Sequence, residues 1–530
     1  MASLTSLPLD LQKHIISYLL STRDVAALST QCKSLHRLCD MEARHTYHRV
    51  KIEPKTGSID IAFDLLMDII RRPALGHYIR HIEVRTTPPR RVQYIESDPQ
   101  RQLSEADMRI LQNAARKAGF VEPDQERQLL NMLLQRMDYG TTYFGIHSPR
   151  RMSDTVFIPQ ALGALLISVS PFLESMAMSP MREHPYLFRG SAPSEVRYPL
   201  DYLLRSVNSN PTKPFPYLQN LRDVYVINNP RLDWEDERFY ISMDLFTPIS
   251  TICTLPSIES VRSDVVEEDE NGRPGLEPRS SDITNIALHH SSVSSSYLAS
   301  LICSCKTLKS FSYSVGGRST NDGGYPAFSP RTLIRALLYH KDTLETLDLD
   351  VDSYIYHFDP QIPIADARHA LEKEELYDDD PNRNLPADFR SHCGALTDFT
   401  KLKRLSIGVS LFFYLAWGVD VPTGLEHVRD DKMSLLSFLG GDLEYLCLRG
   451  YKKGESLDRD RVLVDNLGAM RVQLSPGLTV EGVEETIPNA ENVDDPDGQP
   501  HLLWIPGRVE SEGETDDDDE EEEESEAGED

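Results

Sequence analysis

The stretch RTLIRALLYHKDTLETLDLD, residues 331–350, carries two periodicities in succession. Its first half spaces apolar residues for one face of a helix, and its second half sets Leu344, Leu347 and Leu349 at offsets 0, +3 and +5. Strand side chains alternate, so Leu347 and Leu349 point toward a helical layer while Asp348 and Asp350 face away from it. Helix, connector and strand form one supersecondary unit that buries its apolar side only by stacking on neighbours.

The offset frame recurs at Ile79/Ile82/Val84, Leu173/Met176/Met178, Leu221/Val224/Val226, Ile283/Ile286/Leu288, Leu308/Phe311/Tyr313, Leu402/Leu405/Ile407 and Leu443/Leu446/Leu448. In a chain 40% hydrophobic, three set positions fill by chance roughly thirty times over this length, so the frame alone decides nothing. The helical pattern just ahead of it decides, in DLLMDIIRRPALGHYIRHIEV, ALGALLISVSPFLESMAM, SYLASLICSCKTLKSFSY and MSLLSFLGGDLEYLCL. Frames lie from 25 to more than 90 residues apart, so the units carry insertions. One insertion, at about 86–158, holds SEADMRILQNAARKAG, with Ser104 as cap and Gly119 as stop, and QERQLLNMLLQRMDYG, with Leu130, Leu133, Leu134 and Met137 on one face. A second, at about 352–397, holds the solvated helix DARHALEKEELYDDD, and VEEDENGRPGLEPRSSD reads as a loop.

At 530 residues the chain exceeds one ordinary core, so several domains or one repetitive array is expected. Of the net charge of −29, 14 carboxylates fall in the last twenty residues, SEGETDDDDEEEEESEAGED, which hold no Lys or Arg. The remaining body is still acidic and would repel a phosphate backbone. Arg85, Arg90 and Arg91 of RTTPPRRVQY read as a solvated loop, so no nucleic-acid partner is expected. Seven scattered cysteines suit a reducing compartment, and Cys303 and Cys305 form a C-x-C with no second pair for zinc. The start, MASLTSLPLD, lacks a secretion signal, and the longest apolar run, VSLFFYLAWGV, is too short to span a bilayer. No membrane association is expected, and the cytoplasm and/or nucleus is the expected location.

The first residues pose a separate question. LPLDLQKHIISYLLSTRDVAALSTQCKSLHRL, residues 7–38, puts Leu11, Ile15 and Leu19 on one helical face with Ile16 and Leu20 beside it. After a capping-box spacing at Ser21 and Asp24, Val25, Leu28, Cys32, Leu35 and Cys39 fall on one stripe of a second helix. So small a unit cannot cover that apolar surface itself. At Leu7-Pro8, Asp10, Ile15-Ile16, Tyr18 to Leu20, Arg23 to Leu28 and Cys32-Lys33 the stretch resembles the F-box. The resemblance implies a three-helix unit docking on the Skp-family adaptor, and through it a cullin, of a ubiquitin ligase. It places Leu7, Pro8, Ile15, Ile16, Leu19 and Val25 at that contact, with Leu28, Cys32 and Leu35 in the unit's own core. The aromatic residue often found after the Cys-Lys pair is absent from SLHRLCD.

The expected fold class is therefore α/β: an all-α F-box over 1–50, then an irregular solenoid with a parallel sheet over 51–473 that resembles leucine-rich repeats. A loosely ordered segment over 474–510 and a disordered acidic tail over 511–530 follow. F-box and irregular repeats together resemble the F-box substrate receptors of filamentous fungi. No catalytic constellation is found: G-x-S-x-G, H-E-x-x-H, the P-loop and the dinucleotide fingerprint are missing, and the glycine-rich SVGGRSTNDGGY lacks the lysine and helix of a phosphate cradle. His289-His290 and His392-Cys393 are sequence neighbours that do not converge on a strand. No cofactor, metal or enzyme activity is expected. A solenoid instead offers a rigid face for a protein substrate, with Glu83, Arg85, Tyr225, His289, Asp348, Asp350 and Arg449 as the outward strand residues that would read it. The rival reading is a ligase-independent scaffold or chaperone for a basic partner, which the acidic tail would serve.

Overall fold

The computed structural model describes residues 4–17, 19, 22–53, 56–85, 98–136, 157–181, 198–209, 215–228, 240–269, 273–316, 328–352, 383–416, 442–455, 460, 463 and 477–489. The helix DARHALEKEELYDDD, the pattern MSLLSFLGG, the glycine-rich loop after Gly316 and the acidic tail lie outside them.

The fold is α/β. Its centre is an eleven-stranded parallel sheet of β1 (Arg49–Ile52), β2 (His81–Val84), β3 (Ser175–Met178), β4 (Asp223–Val226), β6 (Ser260–Asp264), β8 (Asn285–His289), β9 (Ser310–Ser314), β10 (Thr346–Asp350), β11 (Arg404–Gly408), β12 (Tyr445–Arg449) and β13 (Thr479–Glu481). Strand order follows chain order. Two strands left out of the sheet, β5 (Ile241–Met243) and β7 (Val266–Glu268), pair with each other. All eight offset frames lie in this sheet, and each of their residues is at most 4% exposed in one continuous core. Ladder register aligns the eight middle frame residues, with Val261 of β6 between them, as one row: Ile82, Met176, Val224, Val261, Ile286, Phe311, Leu347, Leu405 and Leu446. Two interior apolar rows give the strands the burial pattern of a sheet packed on helices, which is what the alternation requires.

The helices ahead of the frames are Thr56–Arg71, Phe157–Ser168, Pro199–Asn208, Ser295–Ser304, Pro330–Leu338 and Val409–Ala416. Ser294 and Ser329 cap two of them, each hydroxyl accepting an N–H three residues on. In the first insertion, Ser104 caps Glu105–Lys117 by accepting from the Asp107 N–H, and a second helix, Pro123–Leu133, follows. Its Glu126 carboxylate accepts from the Arg116 guanidinium at 2.7 and 3.1 Å, tying the two helices together.

Among the described residues the α-helices ahead of β1 are Leu9–Ser17, Thr22–Ser29, Lys33–Cys39 and Met41–His48, and Tyr47 of the last belongs to the core of the sheet. The stripe from Val25 to Cys39 is broken in the middle. Ser29 and Thr30 hydroxyls bond back to the carbonyls of Ala26 and Ala27, and Cys32 adopts an extended backbone before the next helix. Cys32 is thereby exposed, where the unbroken stripe would have buried it.

Candidate functional site

Two surfaces hold the residues singled out by the sequence. The first is the N-terminal helical unit. Ile16, Val25 and Cys39 form a small core of their own, separate from the core of the sheet, with Leu19, Leu28, Leu38 and Met41 packed around it. Leu35 is also buried. Outside this core, Leu9, Leu11 and Ile15 are 54%, 49% and 41% exposed. Leu11 and Ile15, four residues apart, share one helix face. Pro8 is exposed and Leu7 half-buried. Ile16 and Val25 thus belong to the unit's interior, not to its surface, because the short helices close on one another around them. The sequence reading put Leu11 on the uncovered apolar face with Ile15 but left it out of the contact, and it missed Leu9, whose spacing of six to Ile15 gave no helical signal.

The second surface is the sheet face opposite the buried rows. Register places Lys51, Glu83, Ala177, Tyr225, Arg262, Ala287, Ser312, Asp348, Ser406, Cys447 and Glu481 in one row across it. The next row brings Asp264 beside His289, Ser314 beside Asp350, and Gly408 beside Arg449. All seven outward residues named from the sequence therefore do lie on this face or at its end, but they are not all open to solvent. Glu83 is 2% exposed, Asp350 7% and Tyr225 9%. Alternation assigns a face; it does not assign exposure.

Pairing explains the difference. Glu83 accepts from Arg49 at 2.7 Å with one oxygen and from Arg85 at 2.6 Å with the other. The Tyr225 hydroxyl donates to Asp264 at 2.6 Å, and Tyr225 packs with Ala177 and Ile227. Burial raises the Tyr225 phenol far above its usual range, and Asp264 adds to the rise. Burial also pushes the Asp264 carboxyl up to about 6, against the pull of the Tyr225 hydrogen bond and the Arg262 charge. Arg449 reaches over β11, where Ser406 and Gly408 are small, to Asp348 at 2.6 Å and Asp350 at 3.6 Å. His289 is held below its usual range by burial, which outweighs the attraction of Asp348. Glu83, Asp264, Asp348 and Asp350 are thus each held by a side chain from a different strand, while Arg85 pairs with Glu83 of its own.

Among the described residues no group of His, Cys, Asp and Glu is arranged to hold a metal ion, and no helix is long and apolar enough to cross a membrane. The buried thiols Cys303 and Cys305 are raised by desolvation, Cys305 to about 12, which leaves them protonated and unreactive at neutral pH. Burial lowers both His289 and His290. No known family model matches the chain, and no curated protein matches it.

Proposed function

We propose that this chain is the non-catalytic, substrate-recognition subunit of a Skp–cullin–F-box ubiquitin ligase. In this reading the N-terminal helices are the F-box, the units of the sheet are leucine-rich-repeat-like, and the face bearing Arg85, Arg262, His289, Asp348 and Arg449 contacts a protein target. The observation that carries it is the exposure of Leu9, Leu11 and Ile15 over a small core independent of the sheet. Three large apolar side chains left in water on one nine-residue helix, two of them sharing a face, suit a contact with a partner protein. The contact is accordingly assigned to Pro8, Leu9, Leu11 and Ile15, with Leu7 and Leu19 at its margin and Ile16 and Val25 supporting it from beneath.

The test is co-purification of the full-length chain with a Skp-family adaptor and cullin. Ile15→Glu should lower adaptor capture by on the order of tenfold or more, because it places a charge against an apolar partner, while leaving the fold intact. Ile16→Glu should instead unfold the helical unit. A wild-type chain that captures no adaptor refutes the proposal, and recovery of a basic protein in its place would move the function to the scaffold reading.

A further inference from the structure

The helices Thr22–Ser29 and Lys33–Cys39 meet at an open cavity of about 560 Å³ lined by Ser29, Thr30, Cys32, Lys33, His36 and Arg37. No carboxylate lines it. Lys33 and Arg37 make no ion pair or side-chain hydrogen bond among the described residues. Several arginines elsewhere are held by carboxylates, as Arg49, Arg85, Arg116, Arg205, Arg383 and Arg449 are; Lys33 and Arg37 differ from the single exposed lysines of the surface in lining one cavity together. Two cations without a carboxylate partner among the described residues thus face one cavity, in a body that stays acidic when the 14 carboxylates of the last twenty residues are set aside, and form a local site for an anion.

We infer that this cavity binds an acidic peptide segment, and that the occupant is the chain's own C-terminal run, Ser511 to Asp530. Charge and reach support the assignment. The run holds 14 carboxylates and no Lys or Arg, so every register presents carboxylates to Lys33 and Arg37. The helices that form the cavity precede β1 in the chain, and β1 is the edge strand farthest from β13. Ten strand spacings separate those edges by about 48 Å, and the chain from Asn489 to Ser511 can extend to about 70 Å. Tethering raises the local concentration of the run, so a contact too weak between separate molecules can form within one. The contact is electrostatic and is screened by salt. It sits on the helices that follow the exposed Leu9–Ser17 helix, where an acidic run would come close to any adaptor docked there. That consequence rests on the proposed function; the binding itself does not.

The experiment uses the full-length chain and a carbodiimide, which joins a lysine amine to a carboxylate with loss of water, the carbodiimide leaving as its urea. Peptide mass spectrometry then locates the bonds. At low salt Lys33 should be coupled to the 511–530 run at least several-fold more than the exposed lysines Lys117, Lys309 and Lys341. The excess should vanish in about 0.5 M salt and fall sharply in Arg37→Glu. Mixed ¹⁴N and ¹⁵N chains should give same-isotope products only. Equal coupling of all four lysines overturns the inference, as does an excess that ignores salt or Arg37. Lys33 that couples an added polyglutamate peptide but not the run would assign the cavity to another protein's acidic segment and overturn the intramolecular occupant.

Discussion

Asp264→Asn should stabilise the chain at neutral pH, although it replaces the carboxylate acceptor of a 2.6 Å hydrogen bond by a neutral amide oxygen. The folded carboxyl lies at about 6, above the ordinary 3.8, and burial is the main cause. A folded value above the unfolded one means that the folded state holds the proton more tightly. The associated stability is therefore complete below about pH 4 and is lost as pH rises through about 6. A shift of roughly two units corresponds to about 3 kcal/mol, the ceiling on what the ionised carboxylate costs at pH 8. Asn keeps an oxygen that accepts from the Tyr225 hydroxyl and carries no charge to desolvate. The variant should exceed the wild type by about 1–3 kcal/mol at pH 8, and the gap should close toward pH 4. A chain of 530 residues need not unfold in one step, so the measurement is hydrogen exchange at the β4 and β6 amides, corrected for intrinsic rates, from pH 4 to 8. If the variant is equal to or less stable than wild type at pH 8, the carboxylate is well satisfied as an anion and the reasoning from burial fails.

Gly408→Ala should destabilise by about 1–3 kcal/mol, read from denaturant melts. An added Cβ would fall 2.2 Å from the Asp352 carboxyl carbon, whose oxygens accept from the N–H groups of Ser410 and Leu411 at the start of the helix Val409–Ala416. Arg449→Ala should cost about 1–3 kcal/mol, more than an exposed truncation, because it leaves Asp348 and the buried Asp350 facing each other across one strand step. Arg449→Lys should restore only part of this, since one ammonium cannot present the guanidinium's fork to both carboxylates; an alanine variant as stable as wild type would mark the pair as idle.

The alternation in TLDLD and its seven counterparts was legible because it is local: two apolar residues spaced two apart, with a helical pattern just upstream, can be buried together only as a strand beneath helices. The same locality explains what was missed. Strand β6 carries Ser263 where the frame wants an apolar side chain, and its hydroxyl is satisfied by donating to the Val226 carbonyl at 2.8 Å. Tyr47, Val50 and Ile52 obey the frame at β1 but sit where the helical unit was expected to end. Strand β13 shows the edge of the sheet with only Val480 in the apolar row. The face of each strand residue was likewise readable, but the closure of that face was not. Arg49 meets Glu83 across 34 residues, Tyr225 meets Asp264 across 39, and Arg449 meets Asp348 across 101. At the N-terminus, helical spacing marked Ile15 and Ile16 alike as apolar, and only the closure of four short helices buried one and left the other in water. The sequence by itself determined which residues are apolar, their period and hence the α/β units. Which outward side chains are locked and which are free was decided by register between distant strands, because an ion pair depends on distance in space and the order of residues along a chain does not encode it.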